Sequence, residues 1–168
     1  IPLASGIGAG ITEEVLFRGF ALRLLDEWLG TWTALVIVSL GFGLVHIANP
    51  GGGLWSALAI SLQAGMLLGA AFILTRRIWL GIGIHLAWNT LQPGLFSYSV
   101  DGAADRQGLF QANISGPSWI TGGSADLQGS AISTAVCAAI AAVLLLLARR
   151  RGHLRPATFR TAPLASVP

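Results

Sequence analysis

Ile11-Thr12-Glu13-Glu14-Val15-Leu16-Phe17-Arg18-Gly19 sets two adjacent carboxylates and a guanidinium inside a segment that is otherwise apolar. Ionisable groups at membrane depth are costly and persist where they face a protein interior or a water-filled cavity, which makes each a functional candidate. The surroundings show that this is such a place. Of 168 residues, 54% are hydrophobic and 10% are charged, against about 25% charged in soluble domains. Mean hydropathy is +0.71. This is the composition of an integral membrane protein.

Working outward, five apolar segments are expected to form an all-α, polytopic transmembrane helix bundle: residues 6–29, 32–48, 54–75, 78–98 and 130–148. The second is short, since about 20 apolar residues cross a bilayer, and Asn49-Pro50-Gly51-Gly52-Gly53 ends it. The third carries Gly65-Met66-Leu67-Leu68-Gly69, a small-xxx-small pattern that lets helix backbones approach closely and points to packing. Arg76-Arg77 closes it, and the fourth follows almost without a loop, so the two are expected to form an antiparallel hairpin. Residues 1–98 would thus hold the functional helices, 99–129 an extramembrane loop whose Pro117-Ser118-Trp119-Ile120 dips into the interface, and 130–148 a last helix. Residues 149–168 read as a basic, disordered tail. The chain starts at Ile1 with no signal-peptide pattern, and helices upstream of it are expected.

All the basic residues are arginine, and the net charge of +3 sits largely in the last twenty residues. A basic tail beside a membrane helix is a topology signal and not a nucleic-acid surface. Arg76-Arg77 and Arg149-Arg150-Arg151 end segments that run in the same direction, which places both clusters and the C-terminal tail in the cytoplasm of a multi-pass, plasma-membrane protein. Trp28, Trp32, Trp55 and Trp79 fall near predicted helix ends, whereas Trp88 sits beside polar residues. Cys137, the single cysteine, excludes a disulfide framework and a thiolate metal cluster.

Residues four apart share a helix face and neighbours diverge by about 100°, so Glu14 faces Arg18 and Glu13 does not. The simplest division has Arg18 neutralising Glu14, which orients helices, while Glu13 points into a site and serves as general base toward water. A purely structural ion pair is the competing reading. Phe42 and His46 repeat the spacing on the second segment, as do His85 and Asn89 on the fourth. Each could be interhelical hydrogen bonding alone. Three segments that each carry polar groups at helical spacing, in an otherwise apolar bundle, argue for one shared site. His153, in the tail, has no such company.

A carboxylate, two imidazoles and an amide suit peptide-bond hydrolysis. Glu13 with His46 could hold and deprotonate a water, and His85 with Asn89 could donate to the developing oxyanion. No serine or cysteine stands beside these histidines for covalent catalysis. The same groups could bind zinc through Glu13, His46 and His85 with an open position, although the compact His-Glu-x-x-His helix motif is absent. Metal-activated and carboxylate-activated water both remain open. Counting 1.5 Å per residue from the cytoplasmic ends puts His46 roughly 20 Å deep and His85 about 10 Å, a mismatch that one site does not allow unless helices tilt or boundaries shift.

Glu13-Glu14-x-x-x-Arg18, Phe42-x-x-x-His46 and His85-x-x-x-Asn89, in this order on successive helices, resemble the three motifs of the CAAX-processing and bacteriocin-processing (CPBP, or Abi) family of intramembrane proteases, the type II CAAX prenyl endopeptidases. The resemblance covers about residues 10–91. It implies a helical membrane endopeptidase in which Glu13 and His46 activate water, His85 and Asn89 stabilise the oxyanion, and Glu14 and Arg18 give support. Members are commonly labelled metalloproteases, yet the resemblance also allows a glutamate mechanism without metal. The implied partners are membrane lipid and a membrane-associated or lipidated peptide. Prokaryotic relatives acting in immunity or scaffolding keep a non-catalytic role in view, as does a proton-coupled carrier built on the same buried groups.

Overall fold

The computed structural model describes residues 2–50, 52–98, 100 and 108–158, and among them the regular structure is entirely helical. Helix α1 spans 2–29 and contains a π-helical stretch, Glu14–Leu22, between the α-helical turns Pro2–Glu13 and Arg23–Leu29. Gly30, at φ 76°, turns the chain directly into α2, Thr31–Val45. Helix α3, Leu54–Thr75, holds a second π stretch at Ser61–Met66. Arg76, in the left-handed region at φ 55°, then reverses the chain into α4, Trp79–Phe96. A single turn, α5 (Ser118–Thr121), and a 3₁₀ segment, Gly123–Gly129, precede α6, Ala131–Arg150.

The expected segment order and the α3–α4 hairpin are present, with ends shifted by three residues or fewer except at the start of α1. Helices Leu54–Thr75 and Gly123–Arg150 are long and apolar enough to cross a membrane, and Thr31–Val45 is a shorter apolar helix. Length and hydropathy therefore identify two spans and not five. Helices α1 and α4 carry the polar side chains of the first and third motifs, which lower their hydropathy.

Helix α3 is central: every residue from Leu67 to Leu74 is buried. Helix α2 packs on one side of it and α6 on another, while α1 lies along α4. The small-xxx-small pattern does what its spacing implies. A methyl on Gly65 would come within 2.8 Å of the Ser39 backbone, so α2 and α3 touch main chain to main chain there. The outer faces are apolar. On α6, Ile132, Val136, Ile140 and Val143 are exposed, while Cys137, Ala141, Leu145 and Ala148 point inward.

Two regions differ from the expectations. The stretch assigned to an extramembrane loop packs back on the bundle: Trp55 Nε1 donates to Gly129 O at 2.9 Å, and Gln63 Nε2 donates to Gln128 O at 3.0 Å. The tail is ordered through residue 158, and the remainder of the segment assigned to it lies outside the described residues. Thr31 N donates to Arg155 O at 3.0 Å and Arg155 N to Thr31 Oγ1 at 2.9 Å, so the tail is laced to the α1–α2 corner. Beneath it Asp26, completely buried, accepts from Thr31 Oγ1 and Arg76 Nη1, each at 2.5 Å, with Arg155 Nε at 3.6 Å. Low hydrophobicity suggests disorder, but a buried carboxylate that needs cations supplies a specific anchor.

Candidate active site

The π stretch of α1 begins at Glu14, and π-bulges frequently mark functional sites because the wider turn re-aims side chains and leaves backbone groups available. The expected Glu14–Arg18 pair forms across one turn of it, Nη1 to Oε1 at 2.8 Å, with both side chains buried. Arg18 reaches further than its own helix: Nη2 donates to Ala64 O at 2.9 Å and to Gly65 O at 3.3 Å. Those carbonyls belong to the π stretch of α3, so two irregular helix segments meet through one guanidinium. Its carbon also stands 4.4 Å over the ring of Phe42, a cation–π contact in a desolvated place.

Glu14 does more than answer Arg18. The same Oε1 accepts from His85 Nδ1 at 3.0 Å, which ties α4 to α1 and fixes the ring by its Nδ1 edge. The opposite edge, Nε2, stands 3.9 Å from Glu13 Oε2. Glu13 is the more accessible carboxylate, with 29% of its side chain exposed against none of Glu14. The neighbouring glutamates are thus unequal in the sense expected from helical geometry, but His85 touches both. Gly81 makes room for this arrangement: a methyl there would lie 2.6 Å from Glu14 Oε2.

His46 caps the C-terminus of α2, and its Nδ1 bonds to Phe42 O at 2.7 Å. A carbonyl only accepts, so Nδ1 carries the proton of the neutral ring and Nε2 is its basic position. Phe42 is nearly fully buried and packs against Phe17, His46 and His85 at centroid distances of 5.0, 4.8 and 6.2 Å. The motif phenylalanine is therefore the apolar hub between the two histidines.

A cavity of about 30 Å³ is lined by His46, His85 and Asn89 with Gln63, Trp88 and Gln128. That is room for about one water molecule. The second and third motifs share this space, which removes the depth mismatch: the count along each segment assumes upright helices starting in one plane, and the packing does not keep to that. Pro93 lies one turn beyond Asn89 inside α4 and lacks the N–H that would bond the Asn89 carbonyl, so the helix ladder is open beside the site.

Gln63, Trp88, Gln128 and the Ala64 and Gly65 carbonyls are contributors that motif reading does not name. Gln63 had one available signal, an amide in the middle of the apolar run 54–75. The carbonyls had none, because a π stretch is not written in side-chain pattern. The zinc set Glu13, His46 and His85 fares differently. Among the described residues no group of three or more His, Cys, Asp or Glu side chains is arranged to hold a metal ion. No step below passes through a metal.

A family model described as Type II CAAX prenyl endopeptidase Rce1-like matches residues 1–91, which include all three motifs. No curated protein and no solved structure matches the chain.

Proposed function

The chain belongs to the Type II CAAX prenyl endopeptidase Rce1-like family, and on that premise we propose that it is an intramembrane endopeptidase cutting a membrane-associated or lipidated peptide with activated water. Membership indicates a protease, a hydrolase that resides in the membrane. The reading of residues goes further. Glu13, the accessible carboxylate, takes the proton of a water with help from His46 Nε2. Asn89 donates to the carbonyl oxygen as it becomes an oxyanion, and His85 does so from Nε2 when it carries both ring protons. Glu14 and Arg18 do not touch the reacting atoms. They hold His85 in place.

What carries this reading is that His46 at the end of α2 and His85 and Asn89 of α4 line a cavity of one-water size, while α1 holds the His85 ring from both edges, Glu14 at Nδ1 and Glu13 3.9 Å from Nε2. A lipidated CAAX-type peptide is a fitting substrate. The exposed apolar stripes on α1, α2 and α6 support a multi-pass arrangement, with Arg76, Arg77 and Arg149–Arg151 and the tail on the cytoplasmic side of the plasma membrane. The test uses protein reconstituted in lipid vesicles and a panel of prenylated and unprenylated peptides. Native protein is expected to cleave, and Glu13→Ala and His46→Ala, each folded, are expected not to. Equal cleavage by native and both substituted proteins overturns the proposal.

A further inference from the structure

Gln63 lies in the π stretch of α3, is 1% exposed, and lines the cavity beside His46, His85 and Asn89. Its amide nitrogen faces three acceptors: Thr134 Oγ1 at 2.8 Å, Gln128 O at 3.0 Å and Leu127 O at 3.4 Å. Thr134 Oγ1 spends its own proton on Ser130 O at 2.8 Å, so toward Gln63 it can only accept. Three acceptors on one side settle which end of the amide is nitrogen. Oε1 is therefore turned away from the 127–134 segment, and among the described residues it is a buried acceptor without a donor.

Such an atom is expensive in a site this enclosed unless something arrives to use it. The other cavity groups suit a different half of a peptide. Asn89 and His85 offer N–H groups to a carbonyl, and His46 offers a base. A peptide drawn into a membrane also brings backbone N–H groups, each of which needs an acceptor once water is left behind. We infer that Gln63 is a substrate-positioning residue whose Oε1 accepts a backbone N–H of the bound peptide near the scissile bond. The segment 127–134 fixes the amide from behind, so what reads in sequence as loop becomes part of the substrate site. This rests on the endopeptidase reading and adds to it the polarity of peptide seating: N–H toward α3, carbonyl toward α4.

The experiment is an ester scan. In a cleavable peptide each backbone N–H flanking the scissile amide is replaced in turn by an ester oxygen, and kcat/KM is measured with native protein and Gln63→Met in vesicles. At one position the ester is expected to cost native protein about tenfold to a hundredfold, the range for leaving a buried acceptor unpaired. Gln63→Met is expected to cleave the all-amide peptide more slowly by a similar factor and to be indifferent to that ester. Equal ester penalties at every position in both proteins overturn the inference and leave the protease reading standing. Absence of any sensitive position with native protein alone does the same, which keeps the test decisive should Gln63→Met fail to fold. Absence of cleavage of any peptide by native protein overturns both.

Discussion

Glu14 and Asp26 are both completely buried carboxylates on α1, and each is paired with an arginine, at 2.8 Å and 2.5 Å. The similarity ends there. Around Asp26 the demand is met: Thr31 and Arg76 bond to it, Arg155 stands by, and the tail backbone closes over the group. Around Glu14 it is not. Glu14 Oε2, Arg18 Nε and Gln63 Oε1 are buried without hydrogen-bond partners among the described residues, and a cavity lies beside Gln63 and beside His85, the ring that Glu14 holds. One buried ion pair is a latch. The other is a scaffold that leaves capacity for something else, and functional sites are where such local inconsistencies gather.

The sharpest way to break this comparison is at the chemistry itself. Glu13→Gln is expected to lower the cleavage rate by about 10²–10⁴, the range for losing a general base, with thermal stability in detergent unchanged. A parallel loss of stability would make Glu13 a structural residue like Asp26. Arg18→Met comes next. It leaves Glu14 as a buried charge and should cost about 3–5 kcal/mol, read as a lowered midpoint in denaturation. A cost near zero would mean that Glu14 is held by other groups.

Gly81→Ala is a subtler probe of the same contact. The added methyl meets a carboxylate already pinned by Arg18 and His85, so a loss of about 1–3 kcal/mol is expected together with slower cleavage. Arg155→Met should matter least. Its side chain is 46% exposed, and an ion pair of that kind contributes about 0–1 kcal/mol. Cleavage should be unaffected. Loss of activity there would mean that the latch and the scaffold are coupled through α1.

How much of this was legible in the sequence differs between the two regions for the same physical reason. Pairs within one helix follow from 3.6-residue spacing, so Glu14–Arg18 and the shared faces of Phe42 with His46 and His85 with Asn89 could be read directly. Contacts between helices could not. Glu14 to His85 spans 71 positions and Arg18 to the Ala64 carbonyl 46, and each depends on tilt and on π stretches that leave no mark in hydropathy. The resemblance supplied the common site where spacing alone could only suggest it.

Asp26 shows the opposite error. In the sequence it is one more charge near the end of an apolar segment, yet it is enclosed because Arg76 and Arg155 arrive from distant positions. The tail's composition likewise says disorder, while its backbone is tied to Thr31 and its His153 ring bonds to Leu74 O at 2.8 Å. Composition averages over residues. A single buried carboxylate decides the local outcome.

The contrast between latch and scaffold stands or falls on one measurement: single-turnover cleavage of a lipidated peptide in vesicles by native protein, Glu13→Gln and Asp26→Asn, with the folded fraction of each determined in the same samples. The expected result is cleavage per folded molecule that is retained in Asp26→Asn and reduced at least about 100-fold in Glu13→Gln. Equal cleavage per folded molecule by all three would contradict the assignment of the Glu13 site to catalysis.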